Sequence, residues 1–121
     1  MKFMILMIPE VYQHDVPEGF VPPADAIERM GKFNQSMADA GILGDLNGLH
    51  PPSKGARISF KTGKPVVIDG PFAESKEVLG GYWFIDVGSR DEAIEWMKKC
   101  PADKGDIIEI RQIFAPEDFP G

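Results

Sequence analysis

Phe3-Met4-Ile5-Leu6-Met7-Ile8 is apolar at every position. A strand with one wet face alternates apolar and polar residues. An unbroken run of this length reads instead as a strand covered on both faces. Tyr82-Trp83-Phe84-Ile85, which follows Gly80-Gly81, is a second run of the same kind. These two segments decide the fold, because any architecture that holds them must cover both sides of its central strands.

Two helices lie further out. Asp25 to Ala40 carries Ile27, Met30, Phe33 and Met37 at spacings of three, three and four, one apolar stripe. Asp25 with Glu28 has capping-box spacing, and Gly41 follows the last turn. Ser89 and Glu92 have the same spacing ahead of a second helix ending near Cys100, with Ala93, Trp96, Met97 and Cys100 as its buried stripe. Lys98 and Lys99 suit its negative end, and Pro101 stops it.

Ala56, Ile58 and Phe60 alternate with Arg57 and Ser59, the pattern of a half-buried strand. Lys61-Thr62-Gly63-Lys64 is a turn, and Val66-Val67-Ile68 is β-branched, so a hairpin is expected. Asp69-Gly70-Pro71 breaks it, and Phe72 to Leu79 reads as a helical turn or loop. Pro9 to Pro23 reads as a surface loop, Gly44 to Gly55 as a turn-rich connection, Ile107 to Phe114 as the last strand and Ala115 to Gly121 as a tail.

The order predicts an α+β fold. Two right-handed β-α-β units interleave into a ferredoxin-like β-α-β-β-α-β protomer, with an antiparallel sheet and both helices on one face. The other face is left uncovered, although the central strands are apolar on both sides. A homodimer closed sheet to sheet resolves this; the alternative is a monomer with an aromatic ligand face.

A chain of 121 residues, 43% apolar and 26% charged, fits one domain over 1–121 that buries its own core. Cys100 is the one cysteine, so neither an internal disulfide nor a cysteine zinc site is available, in keeping with a reducing compartment. The net charge of −6 argues against nucleic acid as a partner. The first apolar run is too short for a signal peptide or a membrane span. A cytoplasmic protein that does not bind membranes is expected.

Asp69-Gly70-Pro71-Phe72-Ala73-Glu74-Ser75-Lys76-Glu77, then Leu79-Gly80-Gly81 and an aromatic strand, resembles the signature of the DGPF subgroup of the YCII-related domain family. Gly48-Leu49-His50-Pro51 and Ile108-Glu109-Ile110-Arg111 resemble its pattern too. The likeness runs from Met1 to about Phe119 and is weakest over Glu10 to Pro23. It implies a dimeric α/β barrel of ferredoxin-like protomers, without implying a settled activity. One branch resembles cofactor-free enzymes that eliminate halide from a chlorinated hydroxyquinone, with a His and an Asp at the site. Other members occur beside sigma-factor-like regions.

Of the two histidines, His50 precedes Pro51-Pro52, which restricts its backbone to extended conformations. A rigidly held imidazole is suited to general acid/base catalysis; the plainer alternative is a loop residue bonded to its own turn. Asp69 ends a strand at a Gly-Pro break. It either accepts backbone N–H bonds in the turn or orients a neighbouring histidine. Arg57, Glu74, Tyr82 and Arg111 are candidate substrate-binding residues. Their structural alternatives are an interface salt bridge with Glu109 or a similar residue for the arginines, a charge-paired turn for Glu74, and the core or interface for Tyr82. His14 reads as a solvated loop residue, and two histidines without a close companion are a weak metal signal. Gly80-Gly81 opens a strand and lacks a phosphate-binding context. Cys100 reads as packing. No cofactor is implied.

Together these features predict a small homodimer that binds a small organic molecule and carries out a cofactor-free elimination or isomerisation. His50 would move the proton and Asp69 would orient it. The rival is a non-catalytic module that senses a ligand or binds a protein, linked to transcriptional regulation.

Overall fold

The computed structural model describes residues 1–17, 19–70 and 78–121. Its main sheet contains β1 (Lys2–Ile8), β2 (Leu43–Gly48), β5 (Gly81–Asp86) and β6 (Ile107–Gln112) in the order β2-β5-β1-β6, with every neighbouring pair antiparallel. Helices α1 (Ala24–Asp39) and α2 (Arg90–Met97) connect β1 to β2 and β5 to β6. The fold is therefore α+β with ferredoxin-like order. The two unbroken apolar runs, in β1 and β5, are the paired central strands: Ile5 lies opposite Trp83 and Phe3 opposite Ile85.

Phe3, Ile5 and Met7 of β1 and Trp83 and Ile85 of β5 point to the helical side. There they join Phe33 and Met37 of α1 and Ala93 and Met97 of α2 in one buried cluster. Trp83, only 5% exposed, meets Phe33 edge-on at 6.2 Å and donates its indole N–H to Asn34 Oδ1 at 2.7 Å. Met4, Leu6, Tyr82 and Phe84 point the other way and are half-buried in the single chain.

The second strand of the sheet is not where the sequence places it. Leu43-Gly44-Asp45-Leu46-Asn47-Gly48, within the stretch expected to be turn-rich, is β2. Its two leucines are three residues apart, which breaks strand alternation, and four of its residues are poor strand formers. A register shift between Leu43 and Leu46 sets them opposite Ile85 and Trp83. One extra residue in the strand thereby restores both leucines to the core side.

β3 (Ala56–Ser59) and β4 (Val66–Asp69) do form the expected hairpin, with Ile58 opposite Val67. The hairpin is a separate two-stranded sheet inserted between β2 and β5, and β3 is exposed along most of its length rather than half-buried.

The helices also depart from expectation in detail. Pro23 precedes α1 and no side chain caps it; Asp25 lies inside the first turn and pairs with Arg29 at 3.7 Å. Ile27, expected in the stripe, is exposed, whereas Phe33 and Met37 are buried. Gly41 has φ +74°, the left-handed conformation that ends the helix. Ser89 caps α2, accepting from Glu92 N–H at 3.1 Å, and Glu92 Oε2 accepts from Gly88 N–H at 2.6 Å. α2 ends at Met97, three residues before Cys100, and Trp96 is half-buried. No helix among the described residues is long and apolar enough to cross a membrane.

Candidate functional site

His50 follows the end of β2. Both backbone groups of the preceding residue are tied down: Leu49 N–H donates to the Gly80 carbonyl at 2.9 Å, and the Leu49 carbonyl accepts from the Tyr12 hydroxyl at 2.8 Å. On the other side Pro51 is fully buried and leads into a 3-10 turn, Pro52–Lys54, closed by Gly55 N–H on the Pro52 carbonyl at 2.8 Å. The chain flanking His50 is thus fixed, while His50 itself is exposed.

The Asp69-Gly70 end of the hairpin lies against this turn. Asp69 pairs with Ala56, and Gly70 N–H donates to the Gly55 carbonyl at 3.0 Å. A Cβ on Gly70 would run into the Pro52 carbonyl, so the close approach requires glycine. The fold therefore brings Asp69 to the loop that starts at His50. Among the described residues no hydrogen bond joins the two side chains, and both residues are exposed. The Ser53 hydroxyl, in the same turn, is buried and has no hydrogen-bond partner among the described residues.

The other candidates fall into two places. Arg57 lies on the hairpin opposite Ile68, on the face away from Ile58 and Val67. Tyr82 and Arg111 lie on the open face of the main sheet, with Met4 opposite Arg111 and Leu6 opposite Tyr82. The Tyr82 hydroxyl accepts from Asn47 Nδ2 at 2.8 Å and donates to Asp45 Oδ2 at 3.2 Å, and its ring meets Phe84 edge-on. Arg111 Nη1 donates to Glu109 Oε2 at 3.2 Å, an exposed pair within one strand. Glu74 falls in 71–77, outside the described residues.

Tyr12 is the residue that sequence reasoning missed. Pro9 to Pro23, expected to be a plain surface loop, begins with a docked 3-10 turn, Glu10–Gln13, whose Tyr12 is 9% exposed. Burial pushes the Tyr12 phenol above its ordinary pKa. Its sequence signal is slight, one aromatic among prolines and polar residues. His14 is exposed and pairs with Glu10 at 2.5 Å. Cys100 is half-buried against the core, and burial, reinforced by Asp106, pushes its thiol up to about 11. A thiol so poorly ionised is a weak nucleophile at neutral pH.

Among the described residues no cluster of three His, Cys, Asp or Glu can hold a metal ion. A shallow groove of about 320 Å³ lies at the far end of the sheet, lined by Lys2, Ile42, Phe84 and Ile113, away from His50. What remains chemically is an exposed imidazole at the start of a loop whose far end meets the Asp69 strand end, and an open aromatic sheet face edged by the Arg111–Glu109 pair.

Two comparisons with known proteins bear on this arrangement. The family model described as the YCII-related domain matches residues 1–117. An uncharacterized protein of Rhizobium meliloti (strain 1021) is 42% identical over 95 residues, covering 75% of this chain and 77% of that protein.

Proposed function

The chain belongs to the YCII-related domain family, and from that premise we propose that it binds a small organic molecule at the His50 loop, in a homodimer closed across the open sheet face. The observation that carries this reading is the seating of the hairpin end on the His50 loop, where Gly70 leaves no room for a side chain against Pro52. Close packing of that kind supports a site in which the Asp69 strand end and the loop that starts at His50 share a rigid backbone, as a binding site demands. The Met4, Leu6, Tyr82 and Phe84 face supplies apolar and aromatic surface for a second copy and for the ligand.

In the catalytic form of this reading His50 transfers a proton in an elimination or isomerisation and Asp69 orients it. Arg57, Arg111, Glu74 and Tyr82 bind the substrate, and no cofactor takes part. Proton transfer needs the pair brought to hydrogen-bond reach and partly removed from water, which is the second copy's contribution.

The exposure of both residues in one chain favours a second reading, a non-catalytic ligand-sensing or protein-interaction module linked to transcriptional regulation. A thermal-shift screen of small organic acids and hydroxyquinones tests the common ground, because a ligand specific for the folded state raises its stability. His50→Ala and Asp69→Asn should abolish the shift and leave the unliganded melting temperature in place. A shift that survives both substitutions would overturn the site. Conversion of the hit compound, lost in His50→Ala, would establish catalysis; binding without conversion would establish the module.

A further inference from the structure

The β3–β4 hairpin is the least explained part of the molecule. Cross-strand partners share a face, so Ile58 and Val67 point one way, with Phe60 beside them by alternation. These three side chains are 59%, 65% and 65% exposed. Beyond their mutual pairing, the two strands have no extensive packing against another strand or helix among the described residues. A two-stranded hairpin is marginal in water by itself. Isoleucine, phenylalanine and valine left wet on one face are a docking surface, not a stable end state.

Charge indicates the occupant. Residues 56–69 carry three cations, Arg57, Lys61 and Lys64, and one carboxylate, Asp69. The remainder of the chain carries ten cations and eighteen carboxylates. The hairpin is a basic, apolar arm on an acidic body of the same sequence. A second copy of this chain therefore offers the complementary charge, and its open sheet face offers apolar surface edged by Asp45 and Glu109.

We infer that the hairpin is an exchanged arm: in the homodimer each copy lays its Ile58–Phe60–Val67 face on the open sheet face of its partner. The inference rests on the sheet-closed dimer proposed above and extends it, because the arm's apolar face covers the partner's sheet beside Tyr82 and Arg111, while Arg57, on the opposite face of the arm, points away from that seat. The wall over the Tyr82 and Arg111 face is incomplete in a monomer.

Sedimentation of the full chain from nanomolar to micromolar concentration tests this. Ile58→Asp with Val67→Asp should weaken dimerisation at least 100-fold. Lys61→Glu with Lys64→Glu should weaken it about tenfold at low salt and much less at high salt, where exposed charges are screened. Near-ultraviolet circular dichroism of the buried Trp83 shows in each case that the protomer is folded. Phe84→Asp separates the two readings. Hairpin variants that dimerise as the parent does, while Phe84→Asp dissociates, overturn the arm and leave the sheet-closed dimer standing. Dissociation by the hairpin variants with no effect of Phe84→Asp overturns the seat on the sheet face, and a monomeric parent overturns both.

Discussion

The main sheet and the β3–β4 hairpin are written in the same code. Ala56-Arg57-Ile58-Ser59-Phe60 alternates as cleanly as any strand in the chain, and Val66-Val67-Ile68 has the β-branched character strands favour. Yet Trp83 in the sheet is 5% exposed and Val67 in the hairpin is 65% exposed. Alternation specifies that a segment pairs as a strand and which side chains share a face. What covers that face depends on the rest of the assembly. In the sheet the cover is α1 and α2, encoded in the same chain; in the hairpin no described element supplies it.

Truncation at the two places should separate them most sharply. Trp83→Ala removes a buried ring together with its Asn34 hydrogen bond, and should cost about 3–5 kcal/mol in denaturant unfolding. A loss under 1 kcal/mol would mean that the sheet side is as loosely covered as the hairpin. Gly70→Ala acts where the two regions join. Its Cβ meets the Pro52 carbonyl, so the turn or the hairpin must shift, at about 1–3 kcal/mol. Ligand shifts at the His50 loop should fall with it; unchanged stability would show that hairpin and loop are not tightly seated.

A smaller effect is read through pH. The Cys100 thiol is held near 11 in the fold against an ordinary value of 9.0, so the folded state keeps its proton after the unfolded chain has lost it. The contribution is fully present below pH 9 and is lost as pH rises from 9 to 11. The parent should lose stability over that range faster than Cys100→Ala does. Parallel curves would remove Cys100 from the core beside α2. The smallest effect is Ile58→Ala at a protein concentration where sedimentation finds only monomer: within about 0.5 kcal/mol of the parent, as for other exposed positions. At micromolar protein the same substitution should lower the melting temperature if the arm is docked, so the difference between the two concentrations sharpens the contrast with Trp83.

Much of this was legible in the residues. The unbroken runs identified the central strands, and Ser89 with Glu92 marked the start of α2. The family likeness drawn from Asp69 to Gly81 agrees with a match over residues 1–117. Three features were not legible, each for a physical reason. β2 hid behind its register shift, which places two leucines on one face at a spacing that strands do not normally use. The exposure of the hairpin is not legible because alternation marks an apolar face without saying whether its cover lies in the same chain. Tyr12 escaped because its importance lies in a contact to Leu49, thirty-seven residues away, for which local sequence holds no signal. In the site itself, the approach of the Asp69 end to the His50 loop follows hairpin geometry, whereas a direct contact between their side chains does not follow from it.

The Tyr12 hydroxyl on the Leu49 carbonyl makes the site region optically addressable. A phenolate absorbs at longer wavelength than a phenol, and Tyr12 ionises late because burial opposes its charged form. In a pH jump to alkaline conditions, loss of the phenolic proton breaks the hydrogen bond that ties the Glu10–Gln13 turn to the residue next to His50. The rate of that absorbance change in a Tyr82→Phe background, compared with the rate at which Trp83 fluorescence reports unfolding of the core, would clock how readily that turn lifts off the His50 loop while the rest of the protein stays folded.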